Sequence, residues 1–292
     1  MKRRDFLSWS AAAACSSAGA AAIAASASET NEAPAADKSA AQDAAAEQPK
    51  PTETPQAEPP AASSPQTLLE WRTYQVSDEK QQSVVAKHLV EAALPAWERL
   101  GIGPVGAFTE VGDDAQPCLH LLLTYVDAAQ FAAARAELEA DEKYRAAAAE
   151  YLASAKDAPA FVRIESELML SFAGMPKPEA PKKKPRLYEM RTYESHSETK
   201  ARRKIEMFND GEIAIFRDCG FEPVFFGETL VGPRLPNLKY MLAAADVEAN
   251  KIGWEKFQKH PEWVKMRDLP KYADTVSQIE KKFLVPTDFS QL

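Results

Sequence analysis

The chain has 292 residues, with 35 Lys and Arg against 43 Asp and Glu, a formal net charge of −8. That balance excludes a general nucleic-acid binder, which needs surplus cations to displace counterions. Three cysteines exclude a disulfide-dense scaffold and any four-cysteine zinc site.

Residues 1–27 read as an export signal. Arg3 and Arg4, followed by Asp5, Phe6 and Leu7, resemble a twin-arginine motif. The stretch from Trp9 onward is mostly Ala and Ser, mild enough for an export signal, and Ala25-Ser26-Ala27 supplies a small-x-small cleavage site. A lipoprotein variant through Cys15 fits less well, because Ala12 stands where a branched apolar residue is usual. No long strongly apolar run follows, so no membrane span is expected after cleavage. Residues 28–66 are Ala, Pro, Glu, Gln and Ser with almost no bulky apolar side chain, which predicts a disordered tether. Its acids Glu29, Glu32, Asp37, Asp43, Glu47, Glu53 and Glu58 face only Lys38 and Lys50, so much of the net charge lies outside any folded unit.

A repeat follows. Leu68-Leu69-Glu70-Trp71-Arg72-Thr73-Tyr74 recurs as Leu187-Tyr188-Glu189-Met190-Arg191-Thr192-Tyr193, an offset of 119 residues. The same offset pairs Gly101 with Gly220, Pro104 with Pro223, Leu119 with Leu238, Asp127 with Asp246 and Tyr144 with Trp263. A register that persists without a gap marks a duplicated domain, 68–172 and 187–291. Between the copies, 173–186 is a Pro/Lys linker expected to be extended and solvated.

Each copy predicts the same elements. A strand over 68–76 leads to Asp78-x-x-Gln81, a capping-box start, and a helix with Val85, Leu89, Ala92, Ala96 and Leu100 apolar. Pro95 should kink or restart that helix, and Gly101 should end it, as Gly220 ends its counterpart. Strands are expected near 104–111 and 118–126, a long Ala-rich helix after Asp127, and a last strand over 160–170. In the second copy, Ser195-x-x-Glu198 should open the first helix. The order β-α-β-β-α-β predicts an α+β protein of two ferredoxin-like repeats. Their uncovered sheet faces would pair into one intramolecular α/β barrel.

These residues resemble the NIPSNAP family, whose domains belong to the dimeric α/β-barrel superfamily. The resemblance rests on Glu-x-Arg-Thr-Tyr at 70–74 and 189–193, on the Gly220–Val224 and Phe225–Gly227 segments, on Gly232-Pro233 with Asn237-Leu238, on His120 through Asp127, and on Phe257 through Trp263. It covers nearly all of 68–291 and implies the barrel fold. It supplies no catalytic residue set.

In the first strand Glu70, Arg72 and Tyr74 share one face and Leu69, Trp71 and Thr73 the other. If helices cover the apolar face, the Glu-Arg-Tyr face lines the barrel, and Glu189, Arg191 and Tyr193 repeat it. His120, with Lys239 in its place in the second copy, is expected to join them. These eight residues are the candidate ligand-binding set. They would form either a pocket for an anionic or oxygen-rich small molecule or a self-satisfied network of buried ion pairs.

His88, where the second copy has Met207, reads as packing, with a heme ligand as the weaker alternative. His196 falls in a loop and His260 at a helix end. Cys118 and Cys219 occupy different repeat positions and read as separate thiols. No metal-ligand spacing and no Gly-x-Ser-x-Gly nucleophile motif occurs. Trp71, Trp97, Trp254, Trp263, Phe216, Phe225 and Phe226 read as core and barrel lining. The expected function is an exported module that binds a small apolar or oxygenated ligand or a protein partner, without a cofactor, its oligomeric state left open. The competing expectation is an enzyme, a cofactor-free monooxygenase or a heme-handling protein of the dimeric α/β-barrel type.

Overall fold

The computed structural model describes residues 65–182 and 186–292. The signal, and all of the tether but its last two residues, lie outside the described residues. Among the described residues no helix is long and apolar enough to cross a membrane.

The first repeat runs β1 (Leu68–Gln75), α1 (Glu79–His88), a π-helical turn (Leu89–Ala93), α2 (Leu94–Arg99), β2 (Gly106–Val111) and β3 (Cys118–Tyr125). It continues with α3 (Ala128–Ala140), α4 (Glu142–Ala147), α5 (Ala149–Leu152) and β4 (Arg163–Ser171). The second repeat runs β5 (Leu187–Glu194), α6 (Glu198–Met207), a π-helical turn (Phe208–Glu212), α7 (Ile213–Asp218), β6 (Glu222–Val231) and β7 (Asn237–Ala244). It ends with α8 (Val247–Lys259), α9 (Pro261–Arg267), a 3₁₀ turn (Pro270–Tyr272) and β8 (Gln278–Pro286).

Local chemistry accounts for most boundaries. The Asp78 carboxylate accepts from Gln81 N at 2.9 Å and caps α1, and Asp127 caps α3 through Gln130 N at 2.8 Å. Pro95 sits in the first turn of α2, directly after the π turn, so the helix restarts there. Gly101 and Gly220 follow α2 and α7 with φ of 68° and 95°, left-handed positions that glycine occupies without strain. Three expectations need correction. The cap of α6 is Ser197, which accepts from Lys200 N at 3.3 Å, because Ser195 is buried and donates to Thr275 O at 2.6 Å. The Ala-rich helix is not continuous, since the Asp141 carboxylate accepts from Tyr144 N at 3.0 Å and starts a new helix. The linker is not simply solvated: Met175 is 2% exposed, and Glu179 N bonds Val224 O at 2.9 Å.

The eight strands form a closed antiparallel barrel in the order β1-β3-β2-β8-β5-β7-β6-β4. Two seams join the repeats, β2 to β8 (Phe108 opposite Pro286) and β4 to β6 (Ser171 opposite Gly227). Leu69, Trp71, Phe108, Leu122 and Met169 of the first repeat pack in the lumen against Tyr188, Met190, Val224, Phe225, Met241 and Leu284 of the second. Outside the barrel each repeat has its own core under its helices. Trp97 belongs to the first, and Phe216 and Phe226 to the second.

This arrangement reverses the expected facing of the strands. Glu70, Arg72 and Tyr74, and likewise Glu189, Arg191 and Tyr193, lie beneath the helices rather than inside the barrel. Leu69, Trp71 and Thr73 point inward. Alternation defines two faces without saying which is inside, and an eight-stranded barrel needs bulky side chains to fill it. Glu70 is satisfied where it stands: Arg72 bonds it at 2.8 and 2.9 Å, Tyr125 Oη at 2.8 Å and Ser166 Oγ at 2.6 Å. His120 is opposite Thr73 and Lys239 opposite Thr192, so both face the lumen and are separated from the Glu-Arg-Tyr sets by the sheet.

Arg72→Met leaves the Glu70 carboxylate buried without its counter-charge, and a loss of about 3 kcal/mol is expected. Changing Glu70 to Leu as well should restore most of it. Thermal melts of the single and double variants check this, and a single variant as stable as the parent would show the pair to be structurally unimportant.

Candidate functional site

The Glu189, Arg191 and Tyr193 side chains alternate on β5 and form the floor of a cavity of about 790 Å³ beneath the second repeat's helices. Lys204 and Met207 face it from α6, Glu212 from the π turn, and Trp263 from α9. Asn250, Trp254 and Phe257 project from one face of α8 at i, i+4 and i+7. Ile279, Lys281 and Phe283 alternate along β8.

The buried polar groups of this cavity are paired. Arg191 Nε donates to Glu189 Oε1 at 2.7 Å, and its guanidinium lies 3.7 Å from the Trp254 ring centroid, a cation–π contact. The other Glu189 oxygen accepts from Asn250 Nδ2 at 2.8 Å and Trp254 Nε1 at 2.5 Å. Tyr193 Oη accepts from Tyr240 Oη at 2.7 Å and from Arg191 at 3.3 Å. Burial raises the Tyr193 phenol above its ordinary value, against the pull of Arg191. Lys204 Nζ donates to Glu212 Oε2 at 2.7 Å, with the Phe208 ring 4.7 Å away. Burial raises the Glu212 carboxyl, and Lys204 opposes that shift.

The corresponding space in the first repeat is filled. Tyr151 stacks on His88 at 3.7 Å with the rings 6° from parallel, and Tyr144 lies edge-on to His88 at 5.9 Å. The halves also differ in length behind these rings. Arg72 is opposite Ser166, 22 positions after Tyr144, whereas Arg191 is opposite Lys281, 18 positions after Trp263. The four additional residues lie between Tyr144 and Ser166. Glu70, Arg72 and Tyr74 therefore stand over a closed core. His88 is buried, with Tyr151 stacked on the face of its ring.

His120 and Lys239 line a different space, a mouth of about 410 Å³ at one end of the lumen. His120 Nδ1 lies 2.9 Å from Thr73 Oγ1, and its Nε2 3.0 Å from Glu110 Oε1 and 3.1 Å from Cys118 Sγ. Lys282 Nζ bonds Glu110 Oε1 at 2.6 Å. Lys239 Nζ donates to Thr192 Oγ1 at 3.1 Å and lies 3.2 Å from Glu167 Oε1. Burial pushes the Cys118 thiol up to about 12 and lowers the His120 imidazole, which Glu110 partly opposes. Burial would raise the Glu110 carboxyl, but its bonds from His120 and Lys282 hold it far below the ordinary carboxylate range. Cys219 is a second free thiol at the end of α7, remote in register from Cys118. The reading of the sequence overlooked Lys204, Glu212, Asn250 and Glu110. The repeat offset places Val85, Ala93, Phe131 and Thr229 at their counterparts, a signal that the halves differ there.

An eight-stranded barrel built from two β-α-β-β-α-β repeats defines a dimeric α/β-barrel protein fused into one chain. Residues 69–173 and 188–291 each match the NIPSNAP family model, and the chain belongs to the NIPSNAP family. No curated protein sequence matches it. Among solved structures it is similar to a proposed monooxygenase from Fusobacterium nucleatum, with TM-score 0.50, 10% identity, and coverage of 75% of this chain and 92% of that one. Another proposed monooxygenase, from Lactobacillus acidophilus, has TM-score 0.50, 8% identity, and coverage of 76% and 94%. An uncharacterized NIPSNAP-like domain protein from Burkholderia xenovorans is 21% identical over 37% of this chain and 90% of its own, with TM-score 0.34. At 10% and 8% identity the likeness to the first two shows the fold alone.

His88 sets a pH dependence. Burial, with Arg72 nearby, lowers its imidazole from 6.5 to about 4, so below pH 6.5 the unfolded chain binds a proton that the native state does not. Stability should fall by about 3 kcal/mol from this group as pH drops from 6.5 to 4. His88→Met, the residue of the second repeat, should flatten that part of the curve. Denaturant midpoints measured across the range check it.

Proposed function

We propose that the protein is an exported binding module that holds a small, largely apolar, oxygen-bearing ligand in the cavity of its second repeat. The observation that carries this reading is the contrast between the halves: the same helix–sheet space is open in one and closed by Tyr151 on His88 in the other. Trp254, Trp263, Phe257 and Met207 offer apolar and aromatic surface. Glu189 with Arg191, and Glu212 with Lys204, cancel in charge, while the exposed Lys251, Arg267 and Lys281 against Glu255 give the rim a positive excess that suits a ligand oxygen. Lys204 uses two of its three donors, on Glu212 and the Met207 sulfur, which leaves one for a ligand oxygen. The sheet order within each half, fourth strand beside first, then third, then second, supports reading each as a ferredoxin-like unit.

Cofactor-free oxygenation in the same cavity is the second reading, and the fold likeness to proposed monooxygenases motivates it. It requires a group that takes a proton from the substrate. Here the buried carboxylates Glu189 and Glu212 are each tied to a cation and burial raises the Tyr193 phenol, so binding is the better supported role.

Native mass spectrometry of the purified protein, followed by titration with the neutral probe N-phenyl-1-naphthylamine, tests the binding reading. Saturable uptake of one probe per chain is expected. Ile279→Trp, at a half-exposed lining position, should weaken it by about tenfold or more, and Tyr151→Ala should not. Uptake that Ile279→Trp leaves unchanged would remove the cavity as the site. The export reading rests on Arg3 and Arg4. Replacing both with Lys should abolish cleavage and leave the uncleaved chain in the cytoplasm, read by its size and compartment.

A further inference from the structure

The barrel mouth carries a group of side chains that the second-repeat cavity does not use. Cys118 and His120 alternate on β3 and project from one face, and Glu110 projects beside them from β2. One donor atom from each of the three lies within 4.8 Å of the other two. The His120 and Glu110 side chains are each only 5% exposed, and Cys118 is buried as well. A thiol, an imidazole and a carboxylate that converge in this way are the mixed sulfur, nitrogen and oxygen set preferred by borderline divalent ions. Calcium and magnesium prefer oxygen ligands alone.

We propose that Glu110, Cys118 and His120 bind one divalent transition-metal ion of the zinc type, with its fourth position open to the mouth of the barrel. In the structure the Lys282 ammonium sits against Glu110 in the place of that cation. The Lys282 side chain is 39% exposed and can turn to solvent, whereas the three donors stand on paired strands. The S–N and N–O separations of 3.1 and 3.0 Å must open by some tenths of an ångström to admit bonds of about 2.0–2.3 Å. Side-chain rotation is enough for that.

Protons and hydrogen bonds are accommodated. The Cys118 thiol proton leaves to solvent, Lys282 keeps its proton and withdraws, and His120 binds through Nε2 as a neutral ring. Its Nδ1–H then donates to Thr73 Oγ1, 2.9 Å away. A hydroxyl accepts from or donates to that nitrogen, so Thr73 serves the imidazole with or without the ion and orients the ligand.

The second repeat provides an internal comparison. At the counterparts of Glu110, Cys118 and His120 it has Thr229, Asn237 and Lys239. Thr229 Oγ1 donates to Asn237 Oδ1 at 2.7 Å, and Lys239 bonds Thr192 just as His120 contacts Thr73. Thus one half of the mouth carries a covalently attached cation, and the other carries three donors for a free one. Glu110, Glu165, Glu167 and Glu280 outnumber Lys239, Lys282 and Arg234 around the mouth, so an added positive ion meets no excess of like charge.

Calorimetric titration of the untagged, reduced protein with zinc chloride, with cobalt(II) absorption as a spectroscopic reporter, tests the site. One ion per chain is expected, and cobalt should give a thiolate charge-transfer band that Cys118→Ser removes. His120→Gln and Glu110→Gln should each weaken zinc by about tenfold or more. Lys282→Met should tighten it by removing the competing ammonium, and Cys219→Ser should change nothing. Absence of saturable binding, or binding unchanged in Cys118→Ser and His120→Gln, overturns the proposal. If Cys118→Ser fails to fold by circular dichroism, Lys282→Met still decides, because an affinity no tighter than the parent's counts against the site.

Discussion

The lumen contacts of Leu69, Trp71, Phe108, Tyr188, Val224 and Phe225 constrain everything else, because they come from both repeats. Neither half can fill an eight-stranded barrel alone, and the seams β2–β8 and β4–β6 hold the halves in one register. Once the bulky apolar residues point inward, the alternate positions of the same strands point under the helices. The buried ion pairs Glu70–Arg72 and Glu189–Arg191 follow from that allocation. Each carboxylate is enclosed and partnered because the barrel has claimed the other face of its strand.

From this shared framework the halves diverge. The first repeat uses its helix–sheet space as core, with Val85, Leu89 and Trp97 packed on β1 and aromatic rings behind them. The second places Lys204, Glu212 and Asn250 in that space, where polar atoms satisfy one another around an opening. The π turns at equivalent positions in both repeats bring Ala93 inward in one and Glu212 in the other. The position of the turn was duplicated, while the chemistry it presents was not.

The repeat, the element order and the barrel were legible because duplication leaves a gapless offset and because capping and glycine signals are local. The facing of β1 and β5 was not. Glu-x-Arg-x-Tyr looks like a polar lining when helices are assumed to own the apolar face, and only closure of the barrel decides otherwise. Glu189, Arg191 and Tyr193 do line the open cavity, but from the helix side. His120 and Lys239 were grouped with them because facing was inferred strand by strand, whereas pairing with Thr73 and Thr192 sets it. Cys118 and His120 two apart on one strand were visible in the sequence, but Glu110 joins them only through the β2–β3 hairpin. The closure of the first repeat comes from Tyr144 and Tyr151 around His88, and Tyr151 lies beyond the last residues that the 119-residue offset pairs by type.

That length difference also explains how the halves diverged without loss of the fold. A one-residue change within β1 or β5 would turn every side chain to the opposite face, emptying the lumen and stranding the ion pairs together. The four residues lie instead between Tyr144 and Ser166, and β4 pairs with β1 in the register that β8 keeps with β5. The change leaves the strand faces intact while Tyr151 stacks on His88 in the first repeat. Substitutions such as His120 for Lys239 act at lumen positions whose neighbours on the other face stay in place. Because alternate residues of one strand serve different spaces, the mouth and the helix-side cavity can change separately through side chains, while the strand register that supports both stays fixed.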